Sequence, residues 1–185
     1  MNHKGTIKLV TDRLLLRRFT LDDADAMFQN WANDPKVTEF LMWKPHGCVD
    51  VTKHVLADWI PLYAKPDYYQ WGIEIKQTHE LIGSIAAVHI QENVNMVHIG
   101  YCIGRDWWHK GYTSESFAEL IRFFFDEVGA NRIEARHDTR NPNSGKVMQK
   151  CGLQYEGTHR QSDWNTSGLC DASYYAILAE DYQKG

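Results

Sequence analysis

Residues 107–115 read Trp107-Trp108-His109-Lys110-Gly111-Tyr112-Thr113-Ser114-Glu115. Directly after them, Phe117, Leu120, Ile121, Phe124, Phe125 and Val128 follow the i, i+3, i+4, i+7, i+8, i+11 spacing of a helix with one buried stripe, and Gly129 ends it. Residues 95–105, just before, read as a strand. A strand that enters a strong helix through a glycine turn leaves several backbone N–H groups unpaired at the helix start, with the helix dipole behind them. Such a turn is a natural anion site, suited to phosphates. Gly111 lets the backbone approach closely, and Lys110 either adds charge or points to solvent. No Walker loop, no dinucleotide fingerprint and no G-x-S-x-G elbow occurs anywhere in the chain.

Working outward, residues 68–76, 80–91 and 95–105 read as an antiparallel meander of three strands. The connections, Gln77–Thr78–His79 and Glu92–Asn93–Val94, have hairpin length. Further upstream, Leu14–Leu16 reads as a short strand. Thr20 caps a helix running to about Ala32, with Asp22 and Asp23 in its first turn. Residues 33–49 read mostly as loop, and a second helix spans Asp50 to about Tyr63. Downstream come a strand at Arg132–Thr139, then a helix with Asn141 as cap and Pro142 at its first position, closed by Gly152. Two strands, near 154–161 and 171–179, complete the chain, with a loop at 161–171. The order β-α-α-β-β-β-α-β-α-β-β is that of an α+β domain with a mostly antiparallel sheet.

With 185 residues, the chain is expected to form a single domain, 1–185. Apolar residues at 43% and charged residues at 24% are ordinary globular usage. The net charge of −4 is shared evenly between the two halves, so nothing suggests electrostatic capture of nucleic acid. A mildly acidic protein is compatible with a cationic substrate such as an amine. The four cysteines form no C-x-x-C pair, no histidine set has a shared ligand spacing, and no metal site is expected. There is no apolar signal-peptide core and no run of about 20 apolar residues. A cytoplasmic protein with reduced thiols, without a membrane partner, is the expectation.

Two segments together carry a specific resemblance. The sequence Trp108-His109-Lys110-Gly111-Tyr112-Thr113-Ser114-Glu115-Ser116, and the later Asn141, Ser144, Val147, Lys150, Gly152 and Leu153, resemble the phosphate loop and helix motif of the GNAT superfamily of acyl-CoA N-acetyltransferases. They are most similar to its Rim-type branch of ribosomal-protein N-terminal acetyltransferases. Thr11-Asp12-Arg13-Leu14, Glu80-Leu81-Ile82-Gly83, Ile99-Gly100-Tyr101, Glu156-Gly157, Arg160, Asp171 and Tyr175 also match, in order across nearly the whole chain.

The resemblance implies the GNAT fold, a mostly antiparallel mixed sheet splayed between strands 4 and 5 and flanked by four helices, with acetyl-CoA in the opening. Tyr101, Cys102 and Ile103 would pair with the pantetheine arm. The amides of His109, Lys110, Gly111, Tyr112, Thr113 and Ser114 would hold the pyrophosphate, and the Asn141 side chain would meet the pantetheine or a water. The implied reaction is direct attack of an amine on the thioester, which needs a base and a proton donor. Where relatives often have Glu on the fourth strand, this chain has His98, a residue type that titrates near neutrality; Glu74 and Glu80 are the other candidates. Where many relatives have a donor tyrosine, this chain has Met148, and Ser144 is the branch's usual substitute. Cys151, in the last turn of a helix, reads as structural. The implied acceptor is a protein or peptide N-terminus, with a small amine or a non-catalytic acyl-CoA-binding role as alternatives. Trp43, Trp59, Tyr63, Tyr68, Tyr69, Trp71 and Trp164 are candidates to line its slot. Exposed edges of a splayed sheet leave a homodimer open.

Overall fold

A computed structural model describes residues 1–184. The strands are β1 (Leu9–Val10), β2 (Leu14–Arg17), β3 (Gln70–Ile75), β4 (Leu81–Gln91), β5 (Met96–Ile103), β6 (Arg132–Asp138), β7 (Gln154–Asn165) and β8 (Gly168–Leu178). They form one sheet in the order β1-β2-β3-β4-β5-β6-β8-β7. Every neighbouring pair is antiparallel except β5–β6. That parallel pair is short: only Met96, Val97 and His98 stand opposite Arg132, Ile133 and Glu134. From Ile99 onward β5 leaves β6, and the sheet opens. A bulge in β4 between Ala87 and His89 lies at the same level, where His89 faces His98. A bulge bends its strand and adds twist, which turns the β4–β5 ribbon away from β6 where their pairing ends.

The helices are α1 (Ala24–Met27), α2 (Pro35–Thr38), α3 (Val49–Trp59), α4 (Tyr112–Arg122), α5 (Pro142–Lys150) and α6 (Ala179–Tyr182). On one face of the sheet, Phe117, Leu120, Ile121 and Met148 from α4 and α5 pack with Ile73, Ile85, Val97, Ile99 and Ile133. A second core holds Phe19, Met27, Trp31, Val37, Leu56 and Leu81, packed around α1 and α3. The site lies where the split sheet connects these two sides.

Several elements differ from the sequence reading. The helical stripe after α4 continues in a wider i→i+5 turn at Phe123–Val128. That turn brings Phe123 fully inside and leaves Phe125 half-buried. The segment read as a loop at 161–171 is the end of a β7–β8 hairpin. Asn165 pairs with Gly168, the Asn165 side-chain oxygen accepts from the Ser167 amide, and Gly168 takes a φ of +97°. Asn165-Thr166-Ser167-Gly168 is therefore turn chemistry. Finally, β1 and the single turns α2 and α6 were not anticipated; each is too short to show a period.

Candidate active site

Between Trp108 and α4 the backbone turns through two left-handed residues, His109 at φ +60° and Gly111 at φ +81°. The amides of His109, Lys110, Gly111, Tyr112, Thr113 and Ser114 have no hydrogen-bond acceptor among the described residues, and the first closed bond of the helix is Glu115 N–H to Gly111 O. Six consecutive donors thus gather at the N-terminus of α4. The loop is held from outside. Glu115 accepts from the Thr11 hydroxyl and from the amide and guanidinium of Arg13, while Arg13 also donates to the Lys110 carbonyl and stacks over the Tyr112 ring at 4.4 Å. Burial pushes the Glu115 carboxyl up, but the bonds from Thr11 and Arg13 outweigh it and hold it below the usual carboxylate range. Lys150, at the end of α5, comes close as well: a Cβ on Gly111 would lie 3.9 Å from its Nζ.

This loop forms one end of a cavity of about 960 Å³ that runs through the sheet opening. Along it lie β5 from His98 to Ile103 on one side and the start of α5 on the other. Tyr101 crosses the gap, its hydroxyl donating to the Ser144 carbonyl at 3.0 Å. Asn141 occupies the cap position of α5, yet its side chain makes no cap bond; its amide donates to the Ser144 hydroxyl at 3.1 Å instead. The Ser144 oxygen is therefore an acceptor in that bond, and its own proton is free to be given elsewhere.

Towards the other end, His98 is 5% exposed and faces the cavity, with Nδ1 2.9 Å from Glu134 Oε1. Glu134 also accepts from Arg132, which reaches on to Glu156. The His98 bond, and after it those from Arg132, hold Glu134 below the usual carboxylate range. Beyond His98 the lining includes Trp31, Phe40, Trp43, Trp59, Asp138 and Asp163. The hairpin tip is fastened across this end: the Thr166 hydroxyl donates to the carbonyls of Thr38 and Glu39 at 2.8 Å each, and the Thr166 amide donates to Leu41 O.

A turn of unpaired amides beside a half-opened sheet suits a phosphate-bearing chain whose arm lies along β5. Comparison with known proteins gives the same answer. Residues 13–154 match the family model described as "Acetyltransferase (GNAT) domain". The chain belongs to the GNAT acetyltransferase family. It is 32% identical to an uncharacterized N-acetyltransferase, p20, of Bacillus licheniformis, over 94% of this chain and 97% of that one. It is 23% identical to the [ribosomal protein uS5]-alanine N-acetyltransferase of Escherichia coli, covering 82% of this chain and 80% of the relative. A solved structure of a putative ribosomal-protein-serine acetyltransferase from Vibrio cholerae superposes with a TM-score of 0.83 at 23% identity, covering 95% and 99% of the two chains.

As a GNAT acetyltransferase the chain uses acetyl-CoA and an acceptor. Of the residues singled out in the sequence, His98, Tyr101, Cys102, Ile103, His109, Gly111, Thr113, Ser114, Asn141 and Ser144 line the cavity. Lys110 and Tyr112 do not; Lys110 is exposed, and Tyr112 lies under Arg13. Glu80 sits on the exposed turn before β4, bonded to Thr78, away from the cavity wall. Glu74 is buried in an ion pair with Arg17 and also contacts His79. Both carboxylates lie outside the opening because each serves the β3–β4 hairpin. Cys151 donates to the Ser114 carbonyl, joining α5 to α4, and burial pushes its thiol up to about 12. Of the aromatics, Trp43, Trp59 and Trp164 line the cavity, whereas Tyr63, Tyr68, Tyr69 and Trp71 do not. Sequence reasoning missed Glu134, Lys150, Trp31 and Arg13 as parts of the site. Lys150 and Arg13 stood in the matched motifs; Glu134 and Trp31 carried no local signal. No group of three His, Cys, Asp or Glu side chains suited to a metal ion occurs among the described residues.

Proposed function

We propose that this enzyme acetylates the α-amino group at the N-terminus of a peptide or protein, by direct attack of the amine on the thioester. Acetyl-CoA supplies the activated acetyl group. The loop amides that face the cavity and Lys150 bind its phosphates, and the unpaired edge of β5 aligns its arm. An α-ammonium has a pKa of about 8, so a base must free its lone pair. His98 takes that proton, from the wall of the cavity opposite the loop. Ser144 gives its hydroxyl proton to the departing thiolate and takes up in its place the second proton that the nitrogen loses as the amide forms.

The observation that carries the acceptor reading is the state of the carboxylates at the far end. Asp138 is bound by Arg140 and Asn165, and Asp163 by Arg136. A polyamine needs free carboxylates for its several ammonium groups; Asp138 and Asp163 are already paired with arginines, and Glu39, the third carboxylate of the lining, has Lys36 at 3.9 Å. The bridge from Thr166 to Thr38 and Glu39 favours a chain that enters end-on, as a terminus does, over a lysine on a folded surface. Relatives named for ribosomal-protein N-acetylation point the same way.

The test is thiol release from acetyl-CoA with a panel of N-terminal peptides, polyamines and free amino acids. Release with peptides, at rates set by their first residue, is expected. Release with polyamines or free amino acids and none with peptides would overturn the acceptor assignment.

A further inference from the structure

Glu134 lies two residues inside β6, directly across the parallel pair from His98. The pairing ends at these two residues, so the His98–Glu134 contact stands at the apex of the sheet opening. The His98 ring nitrogen and the Glu134 oxygen are 2.9 Å apart, and their side chains are 6% and 15% exposed. The second oxygen of Glu134 accepts two bonds from Arg132. A carboxylate so engaged only accepts hydrogen bonds, so the His98 nitrogen facing it carries the hydrogen. In the neutral ring, Nε2 is then the lone-pair atom.

We infer that Glu134 is a positioning residue that fixes His98 as the Nδ1–H tautomer and turns its Nε2 lone pair to the acceptor amine. The inference rests on the reading of His98 as the base. Nε2 accepts one proton from the acceptor's ammonium, leaving a neutral amine and an imidazolium with both nitrogens protonated. Glu134 stays ionised and takes no proton; its charge, 2.9 Å from Nδ1, stabilises the imidazolium. The proton leaves from Nε2 to water after the amine has reacted. The other charged or titratable groups around His98 are His89, opposite on β4, Arg132 and Arg136 along β6, and Glu156, which binds Arg132 from β7. Arg132 and Arg136 already face Glu156 and Asp163, so Glu134 is the carboxylate that directly meets an imidazolium there. Arg132, held by Glu156, also fixes the carboxylate in place.

The experiment compares pH–rate profiles of the wild type, H98A and E134Q with a peptide acceptor, thermal unfolding confirming that each variant folds. H98A is expected to remove the acidic limb. E134Q is expected to move the limb's midpoint down by about one pH unit and to lower kcat about tenfold, with KM for acetyl-CoA unchanged. If H98A removes the limb and E134Q leaves it in place, the role of Glu134 is overturned while the base assignment stands. If H98A leaves the limb intact, both fall. Nitrogen-15 NMR of the wild-type imidazole supplies a readout that needs no variant. A protonated Nδ1 and bare Nε2 at high pH are expected for His98, and the opposite tautomer overturns the inference.

Discussion

The bond from Asn141 to Ser144 runs from the amide nitrogen to the hydroxyl oxygen, so it leaves the hydroxyl proton unused. A serine that bonds back to its own helix gives that proton to a carbonyl one turn earlier; Ser144 makes no such bond among the described residues, and its proton is left over. Ser144→Ala should therefore lower kcat about 10²-fold while KM for acetyl-CoA changes little, because a proton donor acts in the transition state. Steady-state thiol release measures both, and an unchanged kcat would remove Ser144 from the donor role. The next residue has a different task. A Cβ on Gly145 would lie 2.6 Å from Nε2 of His137, whose Nδ1 is bonded to the Asp138 carbonyl. His137 cannot turn without breaking that bond. Gly145→Ala should cost about 1–3 kcal/mol of overpacking, read as a fall in the denaturant midpoint. A midpoint equal to that of the wild type would show that α5 moves freely against β6.

Elements differ in how much of themselves they write into local sequence. α4 was legible because its apolar stripe repeats over a dozen residues, and the meander because two turns punctuate it. The phosphate loop was legible for a related reason, since one glycine and one helix start suffice to expose amides. What holds the loop was not: Glu115 meets Thr11 and Arg13, about a hundred positions away. Glu134 reads as an ordinary strand residue until β6 lies beside β5. The β7–β8 hairpin was shortened in the sequence reading because polar residues fill its tip, with strand pairing resumed after a shift between His159 and Asp163. That tip gives an element-level test. Thr166 shares its hydroxyl proton between the two carbonyls that end α2, so Thr166→Val unfastens the acceptor end while leaving the phosphate loop alone. KM for the peptide acceptor should rise about tenfold, equal to about 1.4 kcal/mol, with KM for acetyl-CoA unchanged. A parallel rise in both would mean that the hairpin supports the whole opening rather than the acceptor end.

At the scale of the whole molecule, the open sheet has to be stabilised from its intact side. Arg17 on β2 donates to both oxygens of Asp23 at 2.8 Å and to Glu74 on β3, joining the entry to α1 with two strands. The carboxylate side chains are about one-tenth exposed or less. Burial alone pushes both carboxyls up, yet the Arg17 bonds, with those from Thr20 and His79, hold them below their ordinary range. A carboxylate lowered in the folded state stabilises fully above its unfolded pKa of about 4 and loses that contribution as pH falls through the folded value. Arg17→Met reverses the sign. Two adjacent buried carboxylates without their cation should titrate above the unfolded value, so the variant regains stability as pH falls towards 4 and they take up protons. The loss should be about 3–5 kcal/mol near pH 7 and shrink steadily towards pH 4. Denaturant unfolding of both proteins at pH 7, 5.5 and 4 measures it. A deficit independent of pH would assign the contribution of Arg17 to the packing of its aliphatic stem, and a deficit growing towards pH 4 would show that the two carboxylates are not held by Arg17 at all.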